Sequence, residues 1–283
     1  MSAVTVETLG TVPPATTTGT TTGTPTVRAP RAIPPRTPTS RILAVELRKM
    51  FDTRSGFWLL ASIGITAVLA TAAVIIFAPD DQVTYDNFGA AIGVPIAILL
   101  PMIAILSVTS EWSQRSGLTT FTLVPHRARV IQAKLVVSVG IGVVSMLVAF
   151  AVGALGNLLG AAITGNDVVW DISLAHMGYI VLANVLGMLV GFMLGVLVRN
   201  SAGAIVGYFV YSFVLPGLSM LLAANARWFE DLQLWVDFNF AQGALFNGEM
   251  TGEAWAQLGT AGLIWLVIPL AVGLGLVLRS EVK

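Results

Sequence analysis

Six stretches of about 20 apolar residues, the length needed to cross the hydrocarbon of a bilayer, dominate this chain. They run near Phe57–Phe77, Phe88–Val108, Leu135–Leu159, Met177–Val198, Ala202–Leu222 and Leu258–Leu278, and none contains Asp, Glu, Lys or Arg. A run of this kind can bury its backbone polar groups in lipid only as a helix. The expected fold is therefore an all-α integral membrane protein with six transmembrane helices. Composition agrees, because charged residues make up 11% of the chain and hydrophobic residues 55%. Soluble proteins carry about 25% charged residues.

Charge between the stretches sets an orientation. Fourteen of the 15 Lys and Arg residues fall in segments that a six-span chain places on one side, and Arg227 alone falls on the other. The opposite side collects Asp80, Asp81, Asp86, Asp167, Asp171, Glu230, Asp231, Asp237, Glu249 and Glu253. Basic residues stay on the cytoplasmic side, so both termini are expected there. The zero net charge and the absence of a basic patch outside this pattern give no sign of a nucleic-acid partner.

Residues 1–39 read differently. The run PPATTTGTTTGTPTVRAPRAIPPRTPTS has almost no large apolar side chain, and we expect a disordered, Thr/Pro-rich cytoplasmic tail. Its Arg28, Arg31 and Arg36 suit either solvent or anionic lipid. The membrane domain then spans 40–283. It opens with SRILAVELRKMFDTRSGFW, in which Leu43, Leu47, Met50 and Phe51 share a helical face. This predicts an amphipathic interfacial helix before the first span, capped by Ser40. Between the fifth and sixth spans, Trp228, Leu232 and Trp235 fall at helical spacing, with Phe238 and Phe240 following. That pattern predicts one or two short extracellular helices.

Several chemistries are missing. There is no cysteine and there are two histidines, so no Cys- or His-built metal site is expected. No H-E-x-x-H, G-x-S-x-G or G-x-x-x-x-G-K-[ST] occurs. The chain itself should therefore neither catalyse hydrolysis nor bind ATP through a phosphate loop. The polar groups at depth are Asn157, Asn184, Ser145, Tyr208, Tyr211 and Ser212, read as interhelical hydrogen bonds or as groups lining a pathway. Gly187, Gly191 and Gly195, with Gly203 and Gly207, and Gly156 with Gly160, form small-residue ridges for packing within the chain or for dimerisation. Pro95, Pro101, Pro216 and Pro269 lie inside spans and predict kinks.

The loop after the second span is the most informative segment: SVTSEWSQRSGLTTFTLVPHRARVIQAK. It is far longer than the turn at Arg199–Ser201. Thr109 or Ser110 is expected to cap a short cytoplasmic helix over Glu111 to Thr122, with Glu111 at its positive end.

With these features the chain resembles an ABC-2 type permease, the membrane subunit of a bacterial ATP-binding cassette exporter. The resemblance rests on Glu46, Arg48 and Lys49 in the lead-in, on Glu111, Arg115, Gly117, Leu118, Thr119, Pro125, Arg127, Arg129 and Lys134 in the loop, and on the six-span topology with a long outer segment before the last span. It covers about Ser40 to Lys283. It implies a dimer of permease subunits, either homodimer or heterodimer, in the bacterial inner membrane. Two copies of a separate ATPase subunit would bind ATP and Mg. Glu46, Arg48, Lys49 and the loop residues from Glu111 to Arg129 would couple the two. A stand-alone carrier or channel, or a membrane scaffold, are the alternatives.

Overall fold

The computed structural model describes residues 38–113 and 127–279. These residues form ten α-helices, two of them containing a π turn, one short 3-10 helix at Asp80–Gln82, and no strand. In order they are α1 (Thr39–Asp52), α2 (Arg54–Phe77), α3 (Tyr85–Ser113), α4 (Arg127–Thr164), α5 (Leu174–Val198), α6 (Ser201–Asn225), α7 (Arg227–Glu230), α8 (Gln233–Val236), α9 (Phe238–Asn247) and α10 (Gly252–Arg279). The six longest, α2 to α6 and α10, are each long and apolar enough to cross a membrane. They contain the six stretches read from the sequence, and the chain is a multi-pass membrane protein. The Thr/Pro-rich segment through residue 37 lies outside the described residues.

Helix α3 is the axis of the bundle. Phe88, Ile92, Ile96, Leu100, Ala104 and Val108 recur every four residues along it, and each is no more than 1% exposed. Side chains at that interval stack on one face, so α3 buries a continuous ridge. It packs against α2, α4, α5 and α6. Helices α2 and α6 leave most of their apolar surface uncovered, including Trp58, Leu69, Phe77, Phe213 and Leu221.

Glycine sets how closely α5 meets α3. A Cβ on Gly191 would lie 2.7 Å from the Pro101 carbonyl oxygen, and one on Gly195 3.3 Å from that of Ile105. Gly187 faces the Tyr208 hydroxyl. The ridge is thus spent on packing within the chain. Gly156 and Gly160 play the same part against Phe88, Thr71 and Val83. On α6, Gly203 meets Val198 and Gly207 meets Leu194.

The prolines do not simply kink the spans. Pro216 and Pro269 each follow a π-helical turn, Val210–Val214 and Leu263–Val267, that begins six residues earlier. Leu215 N–H bonds the Val210 carbonyl and Ile268 N–H that of Leu263, five residues back in each case. In this register a proline at 216 releases the Tyr211 carbonyl, and Asn239 Nδ2 donates to it at 3.2 Å. Pro101 in α3 releases the Ala97 carbonyl four residues back, and the Tyr208 hydroxyl donates to it at 3.0 Å. A carbonyl without a partner in lipid is costly, and both here have side-chain donors.

Four local expectations change. Helix α1 begins at Thr39 behind Pro38, so Ser40 sits inside it and is not its cap. Thr109 and Ser110 lie inside α3, which runs on to Ser113 because Val108 and Trp112 continue its packing. No helix starts at them. Arg129 and Lys134 are not in a loop but on α4, which at 38 residues is about 57 Å long and exceeds a bilayer core of about 30 Å. The shared face of Trp228, Leu232 and Trp235 is broken by a turn at Asp231–Leu232, which divides it between α7 and α8. The segment between the fifth and sixth spans holds three short helices.

The Gly191 contact makes a direct prediction. Gly191→Ala should destabilise the bundle by about 1–3 kcal/mol through overpacking against backbone. Gly178→Ala on the same helix, where a Cβ meets nothing within 4 Å, should be neutral or slightly stabilising. Thermal unfolding in detergent compares the two.

Candidate functional site

Two places gather polar groups. The first lies at the basic end, where α1 docks on α4. Helix α1 turns Ile42 and Glu46 inward and leaves Val45, Leu47 and Phe51 exposed. Glu46 Oε2 meets Lys134 Nζ at 2.6 Å, and both side chains are about 5% exposed. Lys49 Nζ bonds the other carboxylate oxygen, Oε1, at 2.7 Å. Lys134 Nζ also donates to the Ser107 carbonyl at 3.0 Å, so one ammonium joins α1, α3 and α4. Around it, Ser107 Oγ lies 3.2 Å from Ser138 Oγ, and Thr109 Oγ1 lies 2.8 Å from Ser201 Oγ at the start of α6. Arg129 donates to Thr39 Oγ1 at 2.9 Å and ties the first turn of α1 to α4.

Burial alone would raise the Glu46 pKa. The charge and hydrogen bonds of Lys134, together with those of Lys49, outweigh it and hold the carboxyl below its ordinary range. Glu46 is therefore ionised and spent inside the chain, whereas Arg48 is exposed and pairs loosely with Asp52 at 3.5 Å. Lys49 is half exposed. Glu111 lies in the last turn of α3 and Arg127 opens α4. Arg115, Gly117, Leu118, Thr119 and Pro125, and the helix expected over Glu111 to Thr122 beyond Ser113, lie outside the described residues.

The second place is a cavity of about 290 Å³ between α3, α5, α6 and α9. Asn184, Tyr208, Tyr211 and Ser212 all line it, which brings together four of the six polar groups that the sequence places at depth. Asn157 is elsewhere. It is fully buried and donates through Nδ2 to the Val169 carbonyl at 2.8 Å, pinning the α4–α5 connection. That connection also caps α3, since Asp171 Oδ1 accepts from Asp86 N at 2.8 Å and Val169 O accepts from Tyr85 N at 3.2 Å.

Sequence reading missed Asn239 and Gln242, which reach the same cavity from α9. A local signal was present. Asp237 caps α9 by accepting from Asn239 N at 2.9 Å and Phe240 N at 3.3 Å, and the spacing of 239, 242 and 246 marks one helical face. Lys134 was read as loop charge because its place is set by Glu46, 88 residues away.

The sequence matches no protein-family model and no curated protein.

Removing one member of a buried ion pair costs about 3–5 kcal/mol, while replacing both with apolar residues can be near neutral. Glu46→Leu and Lys134→Met should each destabilise on that scale, and the double variant should cost far less than the sum. Unfolding midpoints in detergent measure the cycle. The pH dependence has a fixed sign. A depressed carboxyl pKa contributes stability above the unfolded value of about 4.3 and loses it as pH falls through the folded value. Acid should therefore loosen α1, read as new protease cleavage in that helix, and Glu46→Gln should be loosened at neutral pH already.

Proposed function

We propose that this chain is the membrane permease subunit of an ATP-driven exporter in a bacterial inner membrane, with its basic end in the cytoplasm. The observation that carries the reading is the buried Glu46–Lys134 pair. It fixes an amphipathic helix to the longest span at the end where basic residues concentrate. A push on α1 from outside the bilayer would therefore reach α4 and, through the Ser107 carbonyl, α3. The chain has no phosphate loop, so the ATPase, with its ATP and Mg, belongs to a separate partner chain. Two ATPase copies and a second permease subunit complete the expected assembly.

On this reading Arg48, Lys49 and the segment from Glu111 to Arg129 meet the ATPase, and Glu46 holds their platform in place. Apolar residues left uncovered on α2 and α6 are available to lipid or a second permease.

A mild-detergent purification of the tagged chain from its native membrane should bring down a phosphate-loop ATPase in equal copy number. Transport in vesicles should need ATP and that subunit. A double charge reversal at Glu111 and Arg115 should abolish transport while membrane insertion is kept. Transport by the chain alone without ATP would favour a secondary carrier and sink the reading. An assembly that moves nothing and shows no substrate-stimulated ATPase would favour a scaffold.

A further inference from the structure

The cavity between α3, α5, α6 and α9 holds polar atoms that the fold does not satisfy. Asn184 is 3% exposed. Its Nδ2 donates to the Ile180 carbonyl of its own helix at 2.9 Å, and its Oδ1 has no hydrogen-bond partner. Tyr211 is 7% exposed, and its hydroxyl, although near the Gln242 side chain, is outside hydrogen-bond geometry with any group. Three neighbouring side chains already donate elsewhere within the protein. Tyr208 donates to the Ala97 carbonyl, Gln242 Nε2 to the Phe238 carbonyl and Asn239 Nδ2 to the Tyr211 carbonyl. Buried polar atoms left open cost about 1–3 kcal/mol each, and two on residues that line one cavity point to a ligand that completes them.

The lining selects the ligand's chemistry. No Asp, Glu, Lys or Arg lines the cavity, and Asp237 nearby is occupied in capping α9. An ionic head would enter without a counter-charge, which is costly. Asn184 Oδ1 only accepts, and a phenol both donates and accepts. A hydroxyl or an amide fits that pair, a carboxylate cannot donate, and a quaternary ammonium can do neither. At about 290 Å³ the space is near the lower edge of small-molecule pockets and suits a head group with part of its chain. Val94 and Phe213 also line the cavity and are 67% and 56% exposed, so its rim is apolar and opens sideways.

We propose that this cavity binds an uncharged amphiphile from the bilayer, whose hydroxyl or amide head donates to Asn184 Oδ1 and accepts from the Tyr211 hydroxyl. Binding here does not depend on whether an ATPase drives the chain.

The test uses the purified full chain in lipid nanodiscs and three photoreactive probes. They share one long diazirine-bearing alkyl tail and end in a hydroxyl, a carboxylate or a trimethylammonium group. Labelled peptides are mapped by mass spectrometry. The alcohol should label the peptides containing Asn184 and Tyr211, and the two charged probes should label them at least fivefold less, the equivalent of about 1 kcal/mol for one hydrogen bond. Asn184→Leu and Tyr211→Phe should each lower alcohol labelling by about the same factor. Equal labelling by the three probes, no labelling of these peptides, or labelling unchanged in both variants overturns the proposal. Should a variant lose its thermal unfolding transition, the comparison of probes on the unaltered chain decides alone.

Discussion

A backbone carbonyl released inside a bilayer has to find a donor, and much of this bundle is arranged around that requirement. Pro101 frees the Ala97 carbonyl in the central helix, and Tyr208 reaches across from α6 to bond it. Gly187 faces that hydroxyl, and Gly191 lets α5 close against Pro101 itself. Pro216 frees the Tyr211 carbonyl after a π turn, and Asn239 comes from α9 to take it. Prolines, glycines and two side-chain donors thus form one connected arrangement. The carbonyls of Ala97 and Tyr211 are tolerated without their helical partners because another element donates to each.

The same arrangement explains why a cavity survives. The π turn widens α6 at Tyr211, and α9, started by its Asp237 cap, is held beside it by the Asn239 bond to the Tyr211 carbonyl. A second π turn in α10 brings Trp265 within 5.9 Å of the Tyr211 ring, and Trp265 Nε1 donates to the Val236 carbonyl at 2.6 Å. π turns often mark functional positions. Here they bracket the region where Asn184 Oδ1 and the Tyr211 hydroxyl are left open.

At the basic end the governing interaction is ionic. Two charges taken out of water need each other and further hydrogen bonds, and Glu46, Lys134, Lys49 and the Ser107 carbonyl supply them. The cluster makes α1 part of the bundle, although Arg41, Arg48, Lys49 and Asp52 face outward on it. A lead-in helix that could shear freely would transmit nothing to the spans, whereas one pinned through a buried ammonium can.

The number, type and approximate limits of the spans were legible in the amino-acid sequence, because apolar length and the loss of charge act on each segment separately. The small-residue ridges and the polar residues Asn184, Tyr208, Tyr211 and Ser212 were legible as candidates for the same reason. Their partners were not. Glu46 and Lys134 read as two surface charges, and they become one buried pair only when α1 folds back on α4. Asn157 looked equivalent to Asn184, yet one pins a connection and the other opens on a cavity. Thr109 looked like a helix cap, and the packing of Val108 and Trp112 carried the helix past it. Local chemistry determined which segments enter the membrane. Which polar groups are satisfied and which are left open was decided by contacts between residues far apart in the chain, and only the tertiary structure contains those.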